Sequence, residues 1–589
     1  MTIMSTPPRT RPGNAGERRD ARQEDIVLTS YAPRGLGTWL VAAGLLGFMV
    51  KAPAHPTIFV DGRIPTVFCA NYDPARRACG NGTNAAYRTI GATAAGVVPG
   101  VTVCIRGGTY HEALVPPASG APDLPITYRG YPGETVTITG ASFDPAIDLS
   151  NRGYIVLEGL TVTNVVGWLR AEQASHNIIR HCVFLHATAR GSRAGLRFVA
   201  ADFNRIVAND IEDGHDNLCL IDSNYNVVES NRFRRGRHAL WNILCGNYNV
   251  LRNNSFANEI QKIGQITDCE GIPTGAPFKY DATKRNLVEG NTFECTPSSG
   301  DSAPYAGIQY SAQKGIIRRN WFYDTTGPGM EMTLYGEEAR YNTDSRVYEN
   351  VFYGTRFAGV QICEASSNAF GGHIFKNNVF YKSVFAANDT RWPWYANQLA
   401  CKPIQVMAGR LDGYLFEQND ILGAVPGQPG AVTYGSRFSP SNPPQRDLAW
   451  WQSNYPGLFT NNIEAPPSFL DEEARNFRLQ PRSPLIAAGA FLTRTIGAGR
   501  GNVIPVADAS YFYDGYGIPG EAGDMIQLEG QTNAARIVHI DEAANTLTLD
   551  QPLAWAGGQG VALPFQGVRP DLGDGAAHAA GIEPFPRPE

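Results

Sequence analysis

The sequence predicts an all-β solenoid, a parallel β-helix closed by a small C-terminal β-rich cap, on three observations. The first is a recurring pattern of two apolar residues, two mostly polar ones, an Asn, one further residue and a Phe. It reads NIIRHCVF at 177–184, NVVESNRF at 226–233, NVLRNNSF at 249–256 and NLVEGNTF at 286–293, and continues as GIIRRNWF at 315–322 and HIFKNNVF at 373–380. The second is an apolar–x–apolar strand that alternates with it, as in AGLRFV (194–199), HALWNI (238–243), AGIQYS (306–311) and AGVQIC (358–363). The third is the placing of Asn: of 38 in the chain, 14 fall within 201–300. A strand-averse residue concentrated in this way asks for a repeat. Two or more short strands per coil, stacked at constant period, define a β-helix.

The elements follow in order. Residues 1–35 read as a disordered tail. Residues 36–54 read as a signal peptide or anchor: LGTWLVAAGLLGFMV (36–50) is uncharged, shorter than the ~20 residues of a membrane span, and followed by Ala52-Pro53-Ala54. Residues 55–500 form the solenoid. The aligned corner positions are Cys182, Asp210, Asn231, Asn254, Asn291, Asn320, Asn350, Asn378 and Asn419. Stacked amides there can hydrogen-bond along the column, and the Phe two positions later packs inside. A Gly-rich linker near 497–502 leads to a β-rich subdomain at 501–570, and 571–589 read as a flexible tail. Cys69 and Cys79 bracket a turn-rich stretch and read as a disulfide, with Cys363 and Cys401 as a second candidate pair.

Over roughly residues 56–500 the chain resembles the right-handed parallel β-helix proteins of the pectate-lyase-like superfamily. CIRGGTYHEALVPPASGAPDLPITYRGYPGETVTITG (104–140) looks like the first coils of chondroitinase-B-like and alginate lyases. FRLQPRSPLIAAGA (477–490) resembles the closing coils of such proteins, with Ala487 where Asp is usual. With the apolar segment 36–50, the resemblance implies a bacterial protein that is secreted or periplasmic/cell-surface and acts on an anionic polysaccharide, expected as a monomer.

Charge narrows the classes further. The net charge is −5, and the first 54 residues are the basic part, which leaves the body more acidic still. A general nucleic-acid binder is disfavoured, because the phosphate backbone demands a basic surface. No GxGxxG or GxxxxGK[ST] follows a strand, and no Cys/His cluster has zinc spacing.

Alternation along the second strand type places Leu196, Leu218, Leu240, Ile308, Met330, Val360 and Ile404 inward. The stripe Arg197, Cys219, Trp241, Gln309, Glu331, Gln361 and Gln405 then points outward. One coil is missing between Trp241 and Gln309, and PFKYDA (277–282) is the segment expected there, with Lys279 outward. Beside the stripe lie Arg232, Arg234, Arg235, Arg237 and His238, and one coil earlier Asp213-Gly214-His215-Asp216. Arginine pairs carboxylates bidentately and Trp241 would stack on a sugar, so an elongated anionic polymer suits the surface. The competing reading is a solvated edge whose arginines are paired with neighbouring acids.

The chemistry expected is β-elimination on a uronic-acid polysaccharide. Arg237 or Arg235 would neutralise the uronate, Lys279 or His238 would take the proton, and Glu331 would orient the lysine or bind a cation. Arg197, Arg235, Trp241, Gln309, His215 and Asp216 are the expected sugar contacts. Chondroitinase-B-like lyases use Lys, Arg and Glu with bound calcium. Their Lys-containing motif has no counterpart in this chain, so residue type alone carries over and calcium is an implied ion without assigned ligands. A glycoside hydrolase, a C5-epimerase and a non-catalytic carbohydrate-binding protein are the alternatives.

Overall fold

The computed structural model describes residues 56–267, 283–296, 306–334, 341–355, 358–363, 370–383, 403–406, 413–422, 432–434 and 446–573. Three parallel sheets run along the solenoid, each receiving one short strand per coil. In one coil Arg205–Val207 belongs to the first sheet, Asp210–Glu212 to the second and Asp216–Ile221 to the third. Among the described residues, no helix is long and apolar enough to cross a membrane.

The corner between the first and second sheets is built the same way in coil after coil. A residue in the left-handed region comes first, with φ 54° at Ala208, 57° at Ser230, 56° at Asn253 and 56° at Arg319. That conformation costs a non-glycine residue roughly 1–2 kcal/mol. The asparagine that follows offsets it. The backbone N–H of Asn231 donates to Oδ1 of Asn254 at 2.9 Å, that of Asn254 to Asn291 at 2.9 Å and that of Asn291 to Asn320 at 3.0 Å. The column runs from Asn209 through Asn350, Asn378 and Asn419 to Asn462. Its early member is Asn209, one residue before the expected Asp210. An ionised carboxylate accepts but cannot donate, and Asp210 instead opens the next strand and pairs with Arg232. A second column, Asn177, Asn204, Asn226, Asn249 and Asn286, lines the other corner of the first sheet.

Inside, the phenylalanines stack ring on ring. Centroids lie 5.1 Å apart from Phe233 to Phe256, 5.2 Å to Phe293, 4.5 Å to Phe322, 4.8 Å to Phe352 and 4.8 Å to Phe380. Each ring is fully or almost fully buried, a contribution of roughly 1.5–3 kcal/mol apiece.

Two outer faces of the solenoid are covered. A six-stranded sheet within 493–562 packs Ile504 and Ile526, with Tyr511 and Tyr513 of the connection between two of its strands, onto Val227, Val250, Leu287 and Ile316 of the first sheet. Ion pairs clamp it. Glu521 reaches both Arg205 and Arg252, and Arg318 grips Asp524 through two bonds of 2.7 and 2.6 Å. On the second sheet Phe469, Phe477 and Leu485 cover Trp321, Val351 and Val379. The helix Leu448–Asn454 is N-capped by Asp447 and buries Trp451 in the solenoid core. Its Gln452 accepts the backbone N–H of Asn462 at 2.7 Å and donates back to the Asn462 carbonyl at 3.2 Å. Cys69 and Cys79 form a disulfide at the N-terminal end. Cys245 is also disulfide-bonded, and Cys401 lies outside the described residues.

Candidate active site

The third sheet carries a polar column on its outer side. Strand register aligns Arg170, Arg197, Cys219, Asn242, Gln265, Gln309, Glu331, Gln361 and Gln405, one per coil. Two corrections to the expected stripe follow. Trp241 is paired with Leu218 and points inward, fully buried against Phe256, so Asn242 takes the outward place. Room for the indole comes from the next coil, where Gly264 is the partner of Trp241 and any Cβ would collide with the ring. The coil between Asn242 and Gln309 is formed by Gly264–Thr267, with Gln265 outward. Lys279, expected in that place, lies outside the described residues.

Another lysine stands at this point. Lys262, two residues before the Gly264 strand and 5% exposed, donates from Nζ to Oε1 of Gln265 at 2.7 Å and Oε1 of Gln309 at 2.9 Å. Nε2 of Gln309 donates to Glu331 at 3.0 Å, and the Cys363 thiol donates to the other Glu331 oxygen at 3.3 Å. Burial pushes the Lys262 ammonium down to about 8, against the opposing pull of the Asp216 and Glu331 carboxylates. Sequence reading missed this residue because it precedes a strand with no apolar–x–apolar signature, GQIT.

At the edge of the column two coils enter the sheet side by side. The backbone N–H of His238 donates to the His215 carbonyl at 2.9 Å. Nδ1 of His238 lies 2.7 Å from Oδ1 of Asp216, and Nδ1 of His215 lies 3.7 Å from the same oxygen. The two rings are 5.6 Å apart, centroid to centroid. Burial, chiefly, holds the His215 imidazolium below its ordinary value.

The arginines are engaged. Arg237 donates to the backbone carbonyls of Gly214, at 3.2 Å, and Ala187. Arg234 pairs with Glu212 at 2.6 Å, Arg232 with Asp210, and the half-exposed Arg235 lies 3.5 Å from Glu259 and 3.8 Å from Glu212. Arg197 pairs with Glu172 of the preceding coil. The paired-edge reading therefore describes the basic cluster, because each second-sheet arginine stacks on an acid one coil away.

The chain is a right-handed parallel β-helix protein. A family model described as "right handed beta helix region" matches residues 194–380. Among curated proteins, the uncharacterized protein YwoF of Bacillus subtilis (strain 168) is 36% identical over 85 residues, 13% of this chain and 18% of that one. The chain thus spans less than a fifth of that relative's length. Solved structures with a likeness include the PL6 family alginate lyase AlyGC, at 18% identity and TM-score 0.37 over 59% of this chain and 52% of that one. The pectate lyase Pel9A stands at 12% and 0.36 over 75% and 94%. A mannuronic acid specific polysaccharide family 6 lyase from human gut microbiota stands at 15% and 0.38 over 64% and 90%.

Proposed function

We propose that the protein is an exported enzyme that cleaves a uronic-acid-containing polysaccharide by β-elimination on the outer side of the third sheet. The observation that carries the reading is Lys262, held between two amide oxygens with Glu331 behind Gln309. A buried lysine whose ammonium is pushed down to about 8 is partly neutral near neutrality, as a general base must be. Its free amine would take the C5 proton, the electron pair would form the C4–C5 double bond, and the C4–oxygen bond would break with the departing oxygen taking a proton from water. Asn242, Gln265, Gln309, Glu331, Gln361 and Gln405 stand one per coil at about 4.8 Å along this face, a spacing that an extended chain can follow. In this reading Lys262 takes the part expected of Lys279. Export is supported by the Cys69–Cys79 disulfide, the disulfide at Cys245 and the apolar segment 36–50.

The test is turnover on a panel of alginate, pectate, glycosaminoglycans and glucuronans, followed by ultraviolet absorbance of the unsaturated uronate. Lys262→Met should lower the rate by about 100-fold or more. Reducing ends without absorbance would point to a hydrolase, inversion at C5 without cleavage to an epimerase, and binding without turnover to a carbohydrate-binding protein. Any of these outcomes would overturn the lyase reading.

A further inference from the structure

We infer that His215, Asp216 and His238 form a binding site for one first-row divalent transition-metal ion such as zinc or cobalt. The inference starts from convergence. Among the described residues this is the group whose His and carboxylate ligand atoms all lie within 4.8 Å of one another. The coil register produces it: His215 and His238 are the residues at which successive coils enter the third sheet, and the His238 N–H bonded to the His215 carbonyl stacks the two side chains on one side.

An ordinary Asp–His pair accounts for only half of the arrangement. Asp216 and His238 would satisfy each other through the 2.7 Å contact. That leaves His215, whose Nδ1 is turned toward the same carboxylate oxygen at 3.7 Å, is itself buried and has no hydrogen-bond partner among the described residues. A buried polar nitrogen left without a partner is unfavourable, because it has given up its water without a replacement bond. A cation between the three donors removes that cost and gives both nitrogens and the oxygen the same partner.

Donor chemistry selects the ion. Two imidazole nitrogens and one carboxylate suit zinc and its first-row neighbours, with bonds near 2.0–2.2 Å. Calcium takes about 6–8 oxygens, and Asp216 is the one carboxylate in the group. Three protein donors leave coordination positions open, as catalytic metal sites do. Arg237, the residue before His238, is directed at the carbonyls of Gly214 and Ala187. The site lies on the same sheet face as Lys262, whose ammonium feels the Asp216 carboxylate. If the ion also binds a uronate carboxylate, that further step rests on the proposed lyase function, whereas metal binding does not.

The experiment uses the full chain, freed of metal by a chelator, with cobalt(II) as the probe and no sugar present. Visible absorption should rise and saturate at one equivalent, and zinc should displace the cobalt. His215→Gln and His238→Gln should each weaken cobalt binding by about 100-fold or more. X-ray absorption of the cobalt-loaded wild-type protein should show two imidazole nitrogens in the first shell, which keeps the test sound if either variant folds poorly. Absence of saturable uptake, a shell lacking imidazole, or unchanged binding in the folded His215→Gln/His238→Gln double variant would overturn the site. A protein that binds cobalt as described yet turns over none of the polysaccharides keeps the metal site and loses the lyase reading.

Discussion

Lys262 and Glu331 are joined through one carboxamide: Gln309 accepts from the lysine at 2.9 Å and donates to the carboxylate at 3.0 Å. The amide favours the charged lysine, because its oxygen accepts a stronger hydrogen bond from an ammonium than from a neutral amine. Gln309→Leu should therefore lower the Lys262 pKa further. The base is the neutral amine, so wild-type turnover should rise with pH through about 8, and the rise should move to lower pH in the variant. Initial rates across pH on the substrate found in the panel check this. A wild-type profile flat across that interval would exclude Lys262 as the base.

The same lysine lowers stability. Its folded pKa lies below the ordinary 10.5, so the charge opposes folding below about 8 and the opposition fades as pH rises toward 10.5. Lys262→Met should stabilise the protein near neutrality by up to roughly 3 kcal/mol, less whatever the lost hydrogen bonds contribute. In denaturant unfolding, the gap between variant and wild type should close at alkaline pH.

Trp241 and Gly264 form a matched pair across adjacent coils. Gly264→Ala forces a methyl into the indole and should cost about 1–3 kcal/mol. Trp241→Phe in the same chain should recover part of that loss. A double-mutant cycle by denaturant unfolding should give a coupling of roughly 0.5–3 kcal/mol, and independent, additive effects would contradict the packing described.

Arg318 is buried between Glu289, Asp524 and the Tyr348 hydroxyl, the last at 2.9 Å. Burial pushes the Glu289 carboxyl up, but Arg318, Arg319 and Arg252 outweigh it and hold the group below its ordinary 4.5. The resulting stability is present above that value and is lost as pH falls through the folded one. Arg318→Leu takes from Glu289 and Asp524 the cation that grips both, and should cost roughly 3 kcal/mol near neutrality. Acidification should then narrow the deficit, since an unpaired buried carboxyl favours its protonated form. Unfolding measured near neutrality and in mild acid reads both changes.

Which parts were legible in the sequence follows from what repeats. Phe233, Phe256, Phe293 and Phe322 recur because every coil must fill the same interior space, and strand alternation made Gln309, Glu331, Gln361 and Gln405 readable as one face. Register failed where a single coil departs from the average. Leu240 and Trp241 are both buried, so alternation alone does not say which one faces the core beside Leu218. It also failed in the 37-residue interval before Asn291, where PFKYDA resembles a strand more than GQIT does. Lys262 was hidden for that reason. The neighbourhood of His215 and His238 was visible as a shared register, but the turn of both Nδ1 atoms toward Asp216 depends on side-chain rotation, which spacing does not encode.

The bond from Asn462 to Gln452 has a consequence for the end of the asparagine column. Stacked coils end in an open strand edge, which invites another chain to add itself. At this end the acceptor that one more asparagine would supply is a glutamine from the helix Leu448–Asn454. Among the described residues, the Gln452 side chain thus takes the place that the next asparagine holds elsewhere in the column. A seven-residue helix thereby supplies, at this corner, the hydrogen-bond partner that closes the asparagine column.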